Sequence, residues 1–153
     1  MTPPNLAGYT LTEKCYQSHR SLVYRGIRAA DQQRVVVKFM QEDPSFESLA
    51  HFRNQYYISR QLGQAGVEVG IVTVLALERY QHGYALVMQD SGAVALSDYT
   101  SAHPLDLTQF FEVAIALSGI LHVLHQQHII HKDINGHRVC SRRGDTTNQG
   151  NQS

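Results

Sequence analysis

Neither sign of charge prevails in this chain. Lysine plus arginine and aspartate plus glutamate each number 13, so the formal net charge is zero with histidine neutral. That balance removes the field by which a basic domain gathers polyanions, so neither nucleic acid nor an anionic membrane surface is expected as a partner. Cysteine is scarce as well. Cys15 and Cys140 are the only two, and they lie in no Cys-x-x-Cys or His-paired spacing, which excludes a disulfide framework. A reduced, cytoplasmic setting is the default for such usage. The opening residues, Met-Thr-Pro-Pro-Asn-Leu-Ala-Gly, hold no basic stretch leading into an apolar core, so no secretory leader is expected. The longest apolar run, residues 71–77, is interrupted by Thr73 and falls far short of the ~20 residues of a membrane span. There is no internal repeat. From residue 141 to 153 apolar residues are missing altogether, so that tail is expected to be disordered, as are residues 1–8.

What remains can build a core. Of the 153 residues 42% are apolar and 17% charged, a composition suited to one globular domain. Residues 9–16 alternate loosely, residues 21–25 form a second strand-like run ended by Gly26, and residues 34–40 form the strongest, with three consecutive valines. Residues 29–33 read as the turn between the last two. A helix over residues 43–62 follows, with Asp43 as its cap, Pro44 in its first position and Gly63 as its stop. Leu49, Phe52, Tyr56 and Ser59 share one stripe of it, and His51, Gln55, Ile58 and Leu62 share the next. Residues 71–78 and 83–89 read as two more strands around a turn at 79–82. Ser91-Gly92-Ala93 breaks the pattern, and a short helix is expected at 96–102. Asp106 and Gln109 frame the start of a long helix over residues 107–127, with Phe110, Ala114, Leu117, Leu121 and Leu124 on one stripe; this helix is expected to be largely buried. Five strands with one inserted helix, then helices, make an α+β plan rather than an alternating parallel one.

Two places carry chemistry. Lys38 ends Val35-Val36-Val37-Lys38, inside a strand with apolar neighbours on both sides, where an ammonium costs desolvation unless an anion meets it. Taken alone it reads sooner as an edge-strand lysine whose stem packs while its amine reaches water. Asp133, in His131-Lys132-Asp133-Ile134-Asn135, sits on a polar loop beyond an apolar helix, where a carboxylate can accept a proton from a substrate hydroxyl; taken alone it reads sooner as a loop aspartate capping a turn. His122, His125, His128 and His131 recur every three residues, but that step drifts around a helix of 3.6 residues per turn, which speaks against a metal comb.

Together, the strand lysine, the helix, the two strands, the long helix and His128-Ile129-Ile130-His131-Lys132-Asp133 resemble the eukaryotic-type serine/threonine protein kinase family. Tyr84-Ala85-Leu86-Val87-Met88-Gln89-Asp90 resembles its strand leading into the hinge, and Leu121-His122-Val123-Leu124-His125 the end of the helix before its catalytic loop. The likeness covers residues 9–140. It is closer still to the amino-terminal kinase-like domains of large bacterial multi-sensor proteins that also carry ATPase and histidine kinase modules.

The resemblance implies a two-lobe fold, with a five-stranded antiparallel lobe and one helix over residues 9–90 and the start of a helical lobe over 91–140. It implies ATP between them and phosphoryl transfer from ATP to a protein serine or threonine in signal transduction. Lys38 would hold the phosphates and Asp133 would orient the hydroxyl. Gln55 would partner Lys38, Val23 and Val36 would cover one face of adenine, Met88 would be the gatekeeper, and the backbone near Gln89 and Ser91 would bind the base edge. Four departures stand against this pattern. The loop Cys15-Tyr16-Gln17-Ser18-His19-Arg20-Ser21 has no glycine for a phosphate cradle, leaving Ser18, Arg20 and Ser21 as donors or a plain hairpin turn. Gln55 stands where the family has a glutamate. Arg138 stands where it has a magnesium-binding asparagine, and arginine offers only donors. No Asp-Phe-Gly segment follows, and Asp145 is not one, so both protein ligands for magnesium are missing and the helical lobe is incomplete. The chain therefore reads as a truncated kinase domain, either weakly nucleotide-binding or a non-catalytic interaction module, whose missing lobe would leave the apolar side of the 107–127 helix partly uncovered and open to association.

Overall fold

The structure, a computed structural model, describes residues 3–40, 45–64, 72–130 and 140–142, the last three by backbone alone. It divides between Asp90 and Ser91 into two units.

The first unit is an antiparallel sheet with one helix. In chain order its elements are β1 (Tyr9–Gln17), β2 (Ser21–Arg28), β3 (Arg34–Met40), α1 (Phe46–Gln64), β4 (Val74–Tyr80) and β5 (Gly83–Gln89). The strands lie in the order β1-β2-β3-β5-β4, so the valine-rich β3 is central. Its side chains alternate between the faces. Val35, Val37 and Phe39 are buried on one, while Val36, Lys38 and Met40 are half-buried on the other. The first face builds the core with Tyr24, Ala85, Val87 and Leu6. Phe39 anchors it edge-on between Tyr24 and Tyr80, with ring centroids 6.5 Å and 4.7 Å away. The sheet curls until its edge strands meet, where the Tyr9 hydroxyl of β1 donates to Glu78 Oε1 of β4 at 3.4 Å.

Three expectations are corrected here. Residues 3–8 are not a loose end: Leu6 is buried at 6% exposure, and the Gly8 carbonyl accepts from Ala29 N–H at 2.8 Å. Gly26 does not end β2 but lies inside it, opposite Leu11. A Cβ at Gly26 would stand 2.5 Å from the Thr10 carbonyl oxygen, so the close approach of β1 requires glycine. Helix α1 is capped by Ser45, whose Oγ accepts from Ser48 N–H at 3.2 Å, and it runs through Gly63 to Gln64. The expected caps Asp43 and Pro44 lie outside the described residues. Helix α1 packs on β4 and β5, with Phe52 and Leu62 as its buried side chains.

The second unit holds β6 (Ala93–Ala95), α2 (Leu96–Ala102), α3 (Leu107–Gln126) and β7 (Cys140–Arg142). Gly92, at φ 74°, turns the chain into β6. Strands β6 and β7 pair antiparallel, Ala93 opposite Arg142 and Ala95 opposite Cys140. Ser141 and Arg142 therefore belong to a strand and not to a disordered tail; residues 143–153 lie outside the described residues. Asp106 caps α3 as expected. Its carboxylate accepts from Gln109 N–H at 2.8 Å, while Gln109 Oε1 accepts from Asp106 N–H at 3.1 Å.

The expected burial of α3 is corrected as well. Leu124 alone is buried, and Ala114, Leu117 and Leu121 of its stripe are half-buried. Phe110, Phe111 and Ile115 are exposed, because apolar residues run round the helix beyond the stripe and no described element covers them. By length and composition α3 could cross a membrane; its run of apolar residues tolerates the Ser, Gly and His that interrupt it.

Candidate functional site

Sheet register places the expected nucleotide residues of the first unit. Across β2, β3 and β5, Lys38 stands directly between Val23 and Leu86, and Val36 stands between Arg25 and Met88. Residues directly opposite in antiparallel strands project from the same face. Val23, Val36, Lys38 and Met88 therefore share one face, opposite the one that builds the core. An apolar floor of two valines beside one ammonium is a surface that can take a flat base and its phosphates.

Helix α1 supplies the partner for that ammonium. Lys38 Nζ donates to Gln55 Oε1 at 3.1 Å and lies 5.3 Å from the centroid of the Phe52 ring. Gln55 and Phe52 sit three residues apart, neighbours on the helix surface. A neutral amide and a ring face both help to place this half-buried ammonium.

The turn between β1 and β2 is a closed hairpin. Ser18 N–H donates to the Ser21 carbonyl at 2.8 Å, and Ser18 Oγ accepts from Arg20 N–H at 3.3 Å and Ser21 N–H at 3.1 Å. The backbone N–H groups of Ser18, Arg20 and Ser21 are taken up inside the turn, which favours the plain hairpin over a backbone phosphate cradle. An open cavity of about 650 Å³ beside this turn is lined by Ser18, Leu22, Phe39, Met40 and Tyr80, and by neither Lys38 nor Val23, Val36 and Met88.

The end of β5 is fixed from both sides. Gln89 N–H donates to the Thr73 carbonyl at 2.9 Å and Asp90 N–H to the Arg34 carbonyl at 3.2 Å. The Asp90 side chain is 3% exposed, with Arg25 Nε and Arg34 Nη2 each 3.3 Å from its Oδ2. Arg25 also meets Glu13 at 3.6 Å. Neither Asp90 nor Phe52 was singled out from the sequence as a site residue. The signal for Asp90 is an acid at the end of a strand whose neighbours carry arginines, but only the register reveals that they converge.

Ser91 opens the second unit. Asp133, with the rest of its loop and Arg138, lies outside the described residues, and so does the expected meeting of Lys38 with Asp133. His122 and His125 lie on α3, while His128, at φ 57°, has left the helix; among the described residues no three His, Cys, Asp or Glu side chains are grouped to hold a metal ion.

Comparison with known proteins agrees with this geometry. A model of the protein tyrosine and serine/threonine kinase family matches residues 9–146. The peroxide stress-activated histidine kinase mak2 of Schizosaccharomyces pombe is 28% identical over 113 residues, which is 72% of this chain and 5% of that protein. The chain thus spans about 5% of the length of this curated relative. With the five-stranded sheet, the inserted helix and the lysine–helix contact in place, a match over nearly the whole chain shows that it belongs to the protein tyrosine and serine/threonine kinase family.

Proposed function

We propose that this chain is a nucleotide-binding kinase-fold module of a signalling protein, taking ATP on the Lys38 face of its sheet and acting by binding rather than by turnover. The observation that carries the reading is the Lys38–Gln55 hydrogen bond of 3.1 Å. It sets an ammonium on the central strand beside an apolar floor and fixes where that ammonium stands. Val23 and Val36 would cover one side of the base, Met88 would limit the depth of the pocket, and backbone at Gln89 and Ser91 would meet the base edge. The closed β1–β2 turn and Arg138 weigh against efficient transfer. The first offers no amide cradle, and the second cannot ligate magnesium. The name of the relative, a stress-activated histidine kinase, supports a place in signal transduction. Cysteine usage supports the cytoplasm.

The second reading, a serine/threonine protein kinase in the active sense, is favoured by His131-Lys132-Asp133, whose aspartate would accept the proton of a protein hydroxyl. Thermal unfolding with ATP, in magnesium and in EDTA, tests both. The binding reading expects a rise in midpoint that is similar with and without magnesium and absent in Lys38→Ala. An unchanged midpoint at millimolar ATP refutes it. Transfer of γ-phosphate to a protein, abolished by Asp133→Asn, would establish the second reading instead.

A further inference from the structure

A second surface of the first unit concentrates guanidinium groups against tyrosine rings. Arg60 Nη1 donates to the Tyr56 hydroxyl at 3.0 Å, with Cζ 5.8 Å from the Tyr56 ring centroid. The Tyr56 and Tyr57 rings meet edge-on at 5.5 Å. Arg53 shares a hydrogen bond with Tyr57, and Tyr84 of β5 is near enough to act electrostatically on its guanidinium. The Tyr84 ring in turn has Arg79 of β4 over it at 6.0 Å. Three arginines and three tyrosines thus gather on α1 and on the β4–β5 hairpin against which it packs. Arg53, Tyr57, Arg60 and Arg79 are exposed, and Tyr56 and Tyr84 are half-buried.

The contrast with the other end of the sheet is informative. There Arg25, Arg28 and Arg34 each meet a carboxylate, from Glu13, Asp31 or Asp90. Among the described residues no carboxylate forms an ion pair with Arg53, Arg60 or Arg79. In a chain of zero net charge, this is a local accumulation of one sign laid over aromatic surface. Arginine and tyrosine are the residue types that dominate binding energy at protein interfaces.

We propose that this surface docks an acidic, extended peptide segment of a partner protein. Arg53 and Arg60 are two helical turns apart, about 10 Å along α1. Carboxylates three residues apart on a segment extended as polyproline II, which has three residues per turn, fall on one side and span about 9 Å. The intervening side chains would lie on Tyr56 and Tyr57, with Arg79 meeting a further acid past the helix. A polyanionic nucleic acid is disfavoured because the whole molecule carries no net positive field to gather one. The proposal goes beyond nucleotide binding and stands without it, since none of these residues lies among those placed against the nucleotide.

The test uses the full chain and a fluorescein-labelled peptide of Glu-Leu-Ala repeats, followed by anisotropy. A Lys-Leu-Ala peptide and a single-stranded oligonucleotide of equal length serve as comparisons. The expected result is binding of the glutamate peptide alone, weakened by added salt and weakened about tenfold or more in Arg53→Gln/Arg60→Gln. Arg28→Gln, at the far end of the sheet, leaves binding unchanged. If the double variant loses its fold, Arg79→Gln on the hairpin takes its place with the same expectation. Equal affinity in the arginine variants, no binding of the glutamate peptide, or preference for the oligonucleotide overturns the proposal.

Discussion

At Lys38 the choice of partner decides how much positive charge the face keeps. Gln55 accepts its hydrogen bond at 3.1 Å as a neutral amide. In Gln55→Glu the bond becomes charge-assisted, and urea unfolding is expected to show about 1 kcal/mol of added stability. Unchanged stability in that variant would mean that Lys38 and residue 55 do not meet in solution. Gln55 could be placed from the sequence because helical register ties it to Ile58 and Leu62, and register survives small errors in the ends of a helix. Asp90 could not, because its burial depends on three strands whose pairing is invisible in a linear sequence.

A second residue gives a pH signature. The Arg28 guanidinium, with help from the Gln33 amide, holds the Asp31 carboxyl down from 3.8 to about 2. A carboxylate lowered in the folded state adds stability that is fully present above its unfolded value and disappears as pH falls through the folded one. The stability gap between the wild-type chain and Asp31→Asn is therefore expected to be constant from neutral pH down to about 4 and to close towards pH 2. Carboxyl chemical shifts in an NMR titration would give the midpoint directly, and an Asp31 midpoint at an ordinary aspartate value would contradict the Arg28 contact.

Among elements, β2 and α1 show what composition can and cannot reveal. Gly26 resembles a terminator but is a point of contact. Gly26→Ala drives a Cβ to 2.5 Å from the Thr10 carbonyl oxygen, and the strands must part or lose their register. The expected cost is about 1–3 kcal/mol, read as a lower urea midpoint. For α1, Ser45→Ala removes the Oγ that accepts from Ser48 N–H and is expected to cost about 1 kcal/mol. Asp43 and Ser45 are both good capping types, so the sequence could not choose between them. The capping box at Asp106 and Gln109 was legible because both halves of a reciprocal pair are specified three residues apart. Strand β7 was not, because Cys-Ser-Arg has no alternation of its own and owes its conformation to β6.

At the scale of the whole molecule, the five-stranded antiparallel sheet with one inserted helix followed from the sequence, whereas the strand order β1-β2-β3-β5-β4 comes from the structure. The exposure of α3 was legible in part: the helix pattern by itself implied burial, while the incomplete helical lobe implied a partly uncovered apolar side. An apolar helix signals burial, but burial needs a neighbour, and Phe110, Phe111 and Ile115 have none among the described residues. The chain is accordingly expected to self-associate with rising concentration, and Phe110→Ser/Phe111→Ser to shift sedimentation towards the monomer. Sedimentation identical in the two proteins would show that this face is not what associates.

The nucleotide face itself is tested most directly with an ATP acyl-phosphate, which acylates an amine lying beside the phosphates, followed by mass spectrometry of the digested chain. Three lysines, Lys14, Lys38 and Lys132, are available for labelling. Acylation of Lys38 that excess ATP suppresses is expected. Label on Lys14 in preference to Lys38, or label on Lys38 that ATP leaves untouched, would contradict a nucleotide site on this face of the sheet.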